Sequence, residues 1–322
     1  MKIIVDFILK KNIIKWSDQE TDFIMSDKTI FYLGIKRNKC ELSICGESDE
    51  RVKELVYATW ELLAWYDGYF YTPISYKIDG IEHNTDELIS VDYYVTDKKW
   101  ISSAPLLGRN RRGISEKTLN FYSNIRYKGR REKSMNESMF SSYFYLISKG
   151  YANLNIEHRL VLLMHICDGF VLEFLNGNKD NNGGNINKIL HKLDCRKYKQ
   201  GAGMLGVNPS KAMKALGYTR DELTHYEYKP DSLGSFMENP NTTTDEMVNI
   251  YTFYVLVLAL RIAVLETIGE SIEDKVKEYI LNGKLGWIKL EKCLDGKEAL
   301  SKNDMKQMLQ NCQTKNEIDE EV

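Results

Sequence analysis

The segment TTDEMVNIYTFYVLVLALRIAVLETIG, Thr243 to Gly269, decides the fold of the second half of the chain. Thr243 and Glu246 form a T-x-x-E capping box, whose side chains satisfy backbone N–H groups that a helix start leaves unpaired. From Tyr251 the segment is apolar on every side, and Gly269 ends it. At about 1.5 Å per residue such a helix spans roughly 37 Å, long enough for the spine of a bundle. Its longest apolar run, Tyr251 to Leu260, is broken by Arg261, and about ten residues are too few to cross a bilayer.

Working outward, the neighbouring segments also read as helices. Asn155 caps a strongly apolar helix from Ile156 to about Leu175, with Gly177 past its end. Asn208-Pro209 opens a short helix that Gly217 closes. Asn178-x-Asp180-x-Asn182-Gly183 mimics the start of a calcium loop. Ile189 stands where the bidentate Glu belongs, so the segment reads as an Asn/Gly-rich loop.

The first hundred residues differ. Runs rich in β-branched and aromatic residues recur at Ile3–Leu9, Thr29–Ile35, Cys40–Cys45 and Leu88–Val95, punctuated by Gly34, Gly46 and Asp79-Gly80. One helix stands out from about Glu50 to Tyr66, with Val52, Leu55, Val56, Trp60 and Leu63 on one face. After Trp100 the chain turns polar and basic through Pro105, Gly108 and Gly113. The expected fold is α+β overall: a mixed α/β region over residues 1–105, then an all-α helical bundle over 106–290 that opens with a basic linker, 106–133. Residues 291–322 form an extension with an acidic tail, Glu317 to Val322.

Composition narrows the function classes. The 322 residues are 43% hydrophobic and 28% charged with net charge −2, so a nucleic-acid contact must come from a local patch. Arg109 to Lys133 holds nine Lys/Arg against two Glu, with Phe121, Tyr122 and Tyr127 interleaved. Arg109, Arg111, Arg112, Arg126, Lys128, Arg130 and Arg131 are the RNA-binding candidates there, against the alternative of a solvated linker and helix face. The six cysteines are scattered and form no C-x-x-C pair, which points to reduced thiols in a cytoplasmic protein. Asp6 and Lys10-Lys11 interrupt the only stretch resembling a signal peptide. His83, His158 and His191 lack metal-ligand companions at useful spacing. No P-loop or dinucleotide fingerprint occurs. Neither a metal nor another cofactor is expected.

One short segment carries chemistry: Thr219-Arg220-Asp221-Glu222-Leu223-Thr224-His225-Tyr226. Thr219 and Glu222 make a second capping box, so a helix begins at about Arg220, its first-turn N–H groups suited to a phosphate. Arg220 supplies a fixed cation and His225 a base titrating near neutral pH. Asp221 and Thr224 are candidates for orienting them, and Tyr226 and Tyr228 for stacking on a base. Positions five apart on a helix point about 140° apart, so a second chain related by a two-fold axis would help both groups converge on one phosphate. Arg159 and His165 have similar spacing, but on an apolar helix where His165 reads as a core histidine.

The arrangement R-D-x-x-x-H on a short helix, then a loop, then a long apolar helix resembles a HEPN domain, specifically the ApeA-like branch of prokaryotic antiviral defence. The resemblance covers roughly Lys117 to Lys289. It implies a metal-independent endoribonuclease of defence or toxin type, an all-α fold, and a homodimer with both motifs facing one cleft. It also implies cleavage by the ribose 2′-OH to 2′,3′-cyclic phosphate and 5′-OH ends, with tRNA as the substrate the family suggests. Asp221 departs from the family's commoner Asn. The amino-terminal region stands where such proteins carry a sensing part, which would answer a phage-derived or nucleotide trigger. Two alternatives stay open. One is a silent HEPN module for dimerisation or RNA binding. The other is a toxin controlled by a partner nucleotidyltransferase acting on Tyr226 or Tyr228, although Glu227 stands where that pattern wants tyrosine.

Overall fold

The computed structural model describes residues 1–8, 19–36, 39–67, 71–89, 114–128, 140, 143, 144, 146, 156–193, 199, 212, 216 and 245–272. The chain divides into two compact units, Met1–Gly150 with Ile268–Ser271, and Tyr151–Thr267 with Ile272–Val322. The overall class is α+β.

The first unit is built on a six-stranded antiparallel sheet of order β2-β3-β4-β1-β5-β6. Its strands are β1 (Lys2–Ile8), β2 (Gln19–Ile24), β3 (Ile30–Lys36), β4 (Lys39–Cys45), β5 (Thr72–Ile78) and β6 (Ile81–His83). Period-two alternation sets the register: Ile3, Val5 and Phe7 of β1 face Ile44, Leu42 and Cys40 of β4, and those face Phe31, Leu33 and Ile35 of β3. All nine are buried, so one face of the sheet forms a continuous apolar layer. Asp79 and Gly80, both at positive φ, make the two-residue turn that joins β5 to β6.

Helix α1 (Asp49–Asp67) packs against β1 and β4. Ser48 accepts from the Arg51 N–H at its start, and Asp49 and Glu50 complement the helix dipole. The expected face, Val52, Leu55, Val56, Trp60 and Leu63, is buried, but so is every residue from Ala58 to Tyr66. The far side of α1 is covered by α3 (Glu116–Lys128) and by aromatic residues near Phe140. Trp65 stacks on Tyr143 at 4.4 Å and meets Phe140 edge-on.

Two expectations change here. Leu88 lies in a short helix, α2 (Thr85–Ile89), not in a strand. The Asn84 carboxamide oxygen accepts from the Asp86 N–H and starts that helix; the remainder of the expected strand lies outside the described residues. Secondly, α3 packs on α1 within the first unit, although the sequence reading placed it at the start of the helical domain. The boundary expected at 105/106 lies outside the described residues.

In the second unit, the described regular elements are helical. They are α4 (Ile156–Phe174), α5 (Asn182–Leu190) with a 3-10 turn (His191–Leu193), and α6 (Asp245–Thr267). Helix α4 packs on α6, and α5 packs on both. Every residue of α6 from Val255 to Leu265 is buried, including Arg261, which marks it as the unit's central helix. Thr243 of the expected capping box lies outside the described residues. Among the described residues, no helix is long and apolar enough to cross a membrane.

His165 is exposed on α4, not in the core. Leu160, Leu163, Met164, Cys167, Phe170 and Val171 take the buried face, and His165 falls about 100° away from Met164. Arg159 lies with its guanidinium 5.0 Å from the Phe253 ring centre.

Candidate functional site

The catalytic candidates Arg220 and His225, with Asp221, Thr224 and Tyr226, lie outside the described residues. So do Arg109, Arg111, Arg112, Arg130 and Arg131 of the basic stretch; Lys128 ends α3, but its side chain is not among those described. Arg126 is described, and its position removes it from the RNA-contact set.

The Arg126 side chain is fully buried between α3 and α1. Ser115 caps α3, its Oγ accepting from the Thr118 N–H. Leu119, Tyr122, Ile125 and Arg126 then fall on the inward face at three- and four-residue spacing. Arg126 Nε donates to Glu61 Oε1 at 2.9 Å, and Arg126 Nη1 to Glu54 Oε2 at 2.8 Å. The Tyr122 hydroxyl donates to Glu61 Oε2 at 2.8 Å and accepts from Trp65 Nε1 at 2.7 Å. The guanidinium also sits 5.7 Å from the Tyr57 ring centre.

The electrostatics follow from burial. Desolvation pushes the Glu61 carboxyl above its ordinary range, against the pull of Arg126 and the Tyr122 hydrogen bond. Burial also raises the Tyr122 phenol well above normal, reinforced by the adjacent Glu61. Burial works against the Arg126 charge, but Glu61 and Glu54 outweigh it, so the guanidinium stays a cation. The cluster is therefore an interior hydrogen-bond network that joins α3 to α1. Arg126 offers no surface to a polyanion, and two carboxylates already occupy the guanidinium that would grip a phosphate.

A second polar arm holds the start of α3. Arg51 of α1 donates to Asn120 Oδ1 at 2.6 Å, to Ser123 Oγ at 3.2 Å and to Asp27 Oδ2 at 3.3 Å. The Glu116 carboxylate accepts from the Ser26 N–H at 2.8 Å.

In the second unit, the Asn-rich segment is a loop as far as Asn181, and Asn182 and Gly183, expected in the loop, open α5 instead. Asn181 caps α5 through its side chain, accepting from Gly184 N at 2.8 Å. Buried Asn185 donates to Asp168 Oδ1 and to the Asn178 carbonyl, and its own Oδ1 accepts from Asn178 N. Lys188 Nζ donates to the carbonyls of Leu175 and Asn176 beyond the end of α4. These bonds occupy the Asn178 and Asn185 groups with the protein's own backbone and Asp168. Among the described residues, no group of three or more His, Cys, Asp or Glu is placed to hold a metal ion.

The sequence reading missed the Glu61–Arg126 network because it took the basic stretch as one charged run. The spacing of Arg126 from Tyr122 and Leu119 was the available signal, since it places a cation on an apolar face. Glu61 likewise interrupts an otherwise apolar helix segment. Compared with protein-family models, with curated proteins and with solved structures, the chain matches none of them.

Proposed function

We propose that the chain is a metal-independent endoribonuclease of the HEPN type, active as a homodimer in antiviral defence or as a toxin. The observation that carries this reading is the run Thr219-Arg220-Asp221 with Thr224-His225-Tyr226, followed after a loop by a long apolar helix. Arg220 holds two phosphate oxygens as negative charge builds up. His225 moves a proton to or from the reacting oxygens, an effect worth roughly 10² to 10⁴ in rate. The ribose 2′-OH attacks its own phosphate, leaving a 2′,3′-cyclic phosphate and a 5′-OH. Arg109, Arg111, Arg112, Lys128, Arg130 and Arg131 remain as the RNA-contact set, without Arg126. RNA, with tRNA as the family suggests, is the substrate, and the amino-terminal unit restrains the resting enzyme until a phage-derived or nucleotide signal arrives.

Expression of wild-type protein and His225→Ala in a growing host tests this reading. Growth arrest with RNA cleavage in the wild type, and neither in the variant, is the expected result. Arrest and cleavage that persist in His225→Ala would remove His225 from the mechanism. Asp221 favours one second reading, since a carboxylate beside Arg220 opposes phosphate binding: a HEPN module that binds RNA or dimerises without cutting. RNA binding without cleavage by the wild-type protein identifies it.

A further inference from the structure

Helix α1 covers one face of the six-stranded sheet, the face of Ile3, Val5 and Phe7. On the opposite face no described side chain is buried; Gly34, beneath the Tyr32 ring, is the one buried position there. Six large hydrophobic side chains are exposed among the described residues, and four of them lie on this face: Ile24 at 69%, Ile30 at 52%, Ile8 at 49% and Ile74 at 46%. Ile24 and Ile30 face each other across β2 and β3. The register shift between β1 and β5 turns Ile74 to this side, beside Ser75. Asp6 of β1 and Glu41 of β4 stand directly opposite each other, and Asp22 of β2 faces Tyr32 of β3. Among the described residues these three carboxylates have no ion-pair partner, whereas Glu20 beside them is paired with Lys36. Lys2 and Lys39 stand at the two ends of the face, and Lys77 is paired with Glu82.

Apolar residues scattered singly over a surface are normal, but four isoleucines gathered on one sheet face form a contact surface. Like charges directly opposite each other on neighbouring strands destabilise a sheet, so the Asp6–Glu41 pair does nothing for the fold by itself. The carboxylates select the occupant. They repel a polyanion or an anionic membrane, and a second copy laid face to face would bring the same three carboxylates against themselves. An open sheet face is most simply covered by a helix, as α1 covers the other side of this one. We propose that this face docks an amphipathic helix of another protein, its apolar stripe on the isoleucines and its Lys or Arg side chains on Asp6, Asp22 and Glu41. The surface lies wholly within the first unit, and the inference requires nothing of the ribonuclease reading.

The probe is a fluorescein-labelled synthetic helix of about five turns, with leucine on one face and lysine on the other. Its anisotropy is followed as full-length protein is added. Saturable binding is expected, weakened about tenfold in Asp6→Asn/Asp22→Asn/Glu41→Gln by the loss of three exposed charge pairs. A similar loss of about tenfold is expected in Ile24→Ser/Ile30→Ser, from the apolar contact removed. A leucine–glutamate peptide of the same pattern and phosphatidylserine vesicles are expected not to bind. No binding of the leucine–lysine peptide, or an affinity unchanged in either variant, overturns the proposal. Equal binding of the leucine–glutamate peptide, or binding of the vesicles, overturns it as well. Self-association of the wild type in sedimentation that Ile24→Ser/Ile30→Ser abolishes also overturns it, since the occupant is then a second copy. Thermal denaturation separates docking from folding. The carboxylate variant is expected to melt no lower than wild type, because opposed like charges are removed. A lower midpoint overturns the proposal, since the carboxylates then serve the sheet itself.

Discussion

At Arg126 one guanidinium answers two carboxylates and shares a carboxylate with a phenol, all in the interior between α1 and α3. Removing Arg126 leaves the Glu61 carboxyl fully buried without its cation. Arg126→Met is therefore expected to cost about 3–5 kcal/mol in urea denaturation, whereas Glu61→Met/Arg126→Met together lose less, because the fully buried carboxyl is removed with its cation and the remaining Glu54 is partly exposed. Arg126→Lys does not restore the wild-type midpoint, since an ammonium lacks the fork that reaches Glu54 and Glu61 together. Glu61 also gives a pH signature. Its folded value lies above the ordinary carboxylate range, so the folded state keeps a proton that the unfolded chain has already lost. That contribution is fully present below the ordinary range and is lost as pH rises through the raised value. Denaturation midpoints of wild type and Glu61→Gln from pH 4 upward check this, with a flatter profile expected in the variant. At this scale the sequence was partly legible. The apolar face of α1 was readable because every member is an aliphatic or aromatic residue at helical spacing. His165 and Arg126 were misplaced because residue type was given more weight than angular position on the helix.

At the scale of elements, long apolar helices and strongly alternating strands were readable, whereas short or compromised elements were not. Helices α1, α4 and α6 occur close to where their periodicity put them, as do β1, β3 and β4. Strand β2 escaped notice because its sequence, QETDFI, is half acidic or amide. An edge strand paired on one side only needs little apolar surface. Strand β5 contains Pro73, which argues against a central strand. The proline is accommodated because the β1–β5 register shifts between Asp6 and Phe7, and Phe7 then faces Pro73. At the end of α4 the sequence correctly marked Gly177, though the reason is spatial. Asn176 takes the left-handed conformation there, at φ 52°. A side chain on Gly177 would lie 2.9 Å from the Leu172 backbone. Gly177→Ala is accordingly expected to lower stability by about 1–3 kcal/mol, as overpacking against fixed backbone does. Thermal denaturation of the variant checks it.

For the whole molecule, the boundary that composition suggests at 105/106 lies outside the described residues, and what the structure shows is the packing of α3 on α1 within the first unit. The change to a polar, basic stretch after Trp100 marked a linker in the sequence, but α3 beyond it completes the first unit. A chain shortened to begin at residue 106 would expose Leu119, Tyr122 and Ile125 and strand the Arg126 charge. Such a truncation is expected to be insoluble, judged by its recovery in size-exclusion chromatography, and so does not test restraint by the amino-terminal unit. With net charge −2, the RNA affinity we propose would have to come from the local basic set. Replacing Arg109, Arg111 and Arg112 by Ala is expected to reduce the salt dependence of RNA binding by about 0.7 in slope for each lost single-strand phosphate contact. Arg126→Met leaves that slope unchanged. The catalytic proposal was legible only as a motif, because two polar side chains five positions apart carry no packing signature to anchor them. The most direct measurement incubates purified full-length protein with total RNA in EDTA and determines the chemistry of the new ends. The account expects 2′,3′-cyclic phosphate and 5′-OH ends in the chelator, and none with His225→Ala. Cleavage that needs a divalent ion, or 5′-phosphate ends, would contradict it.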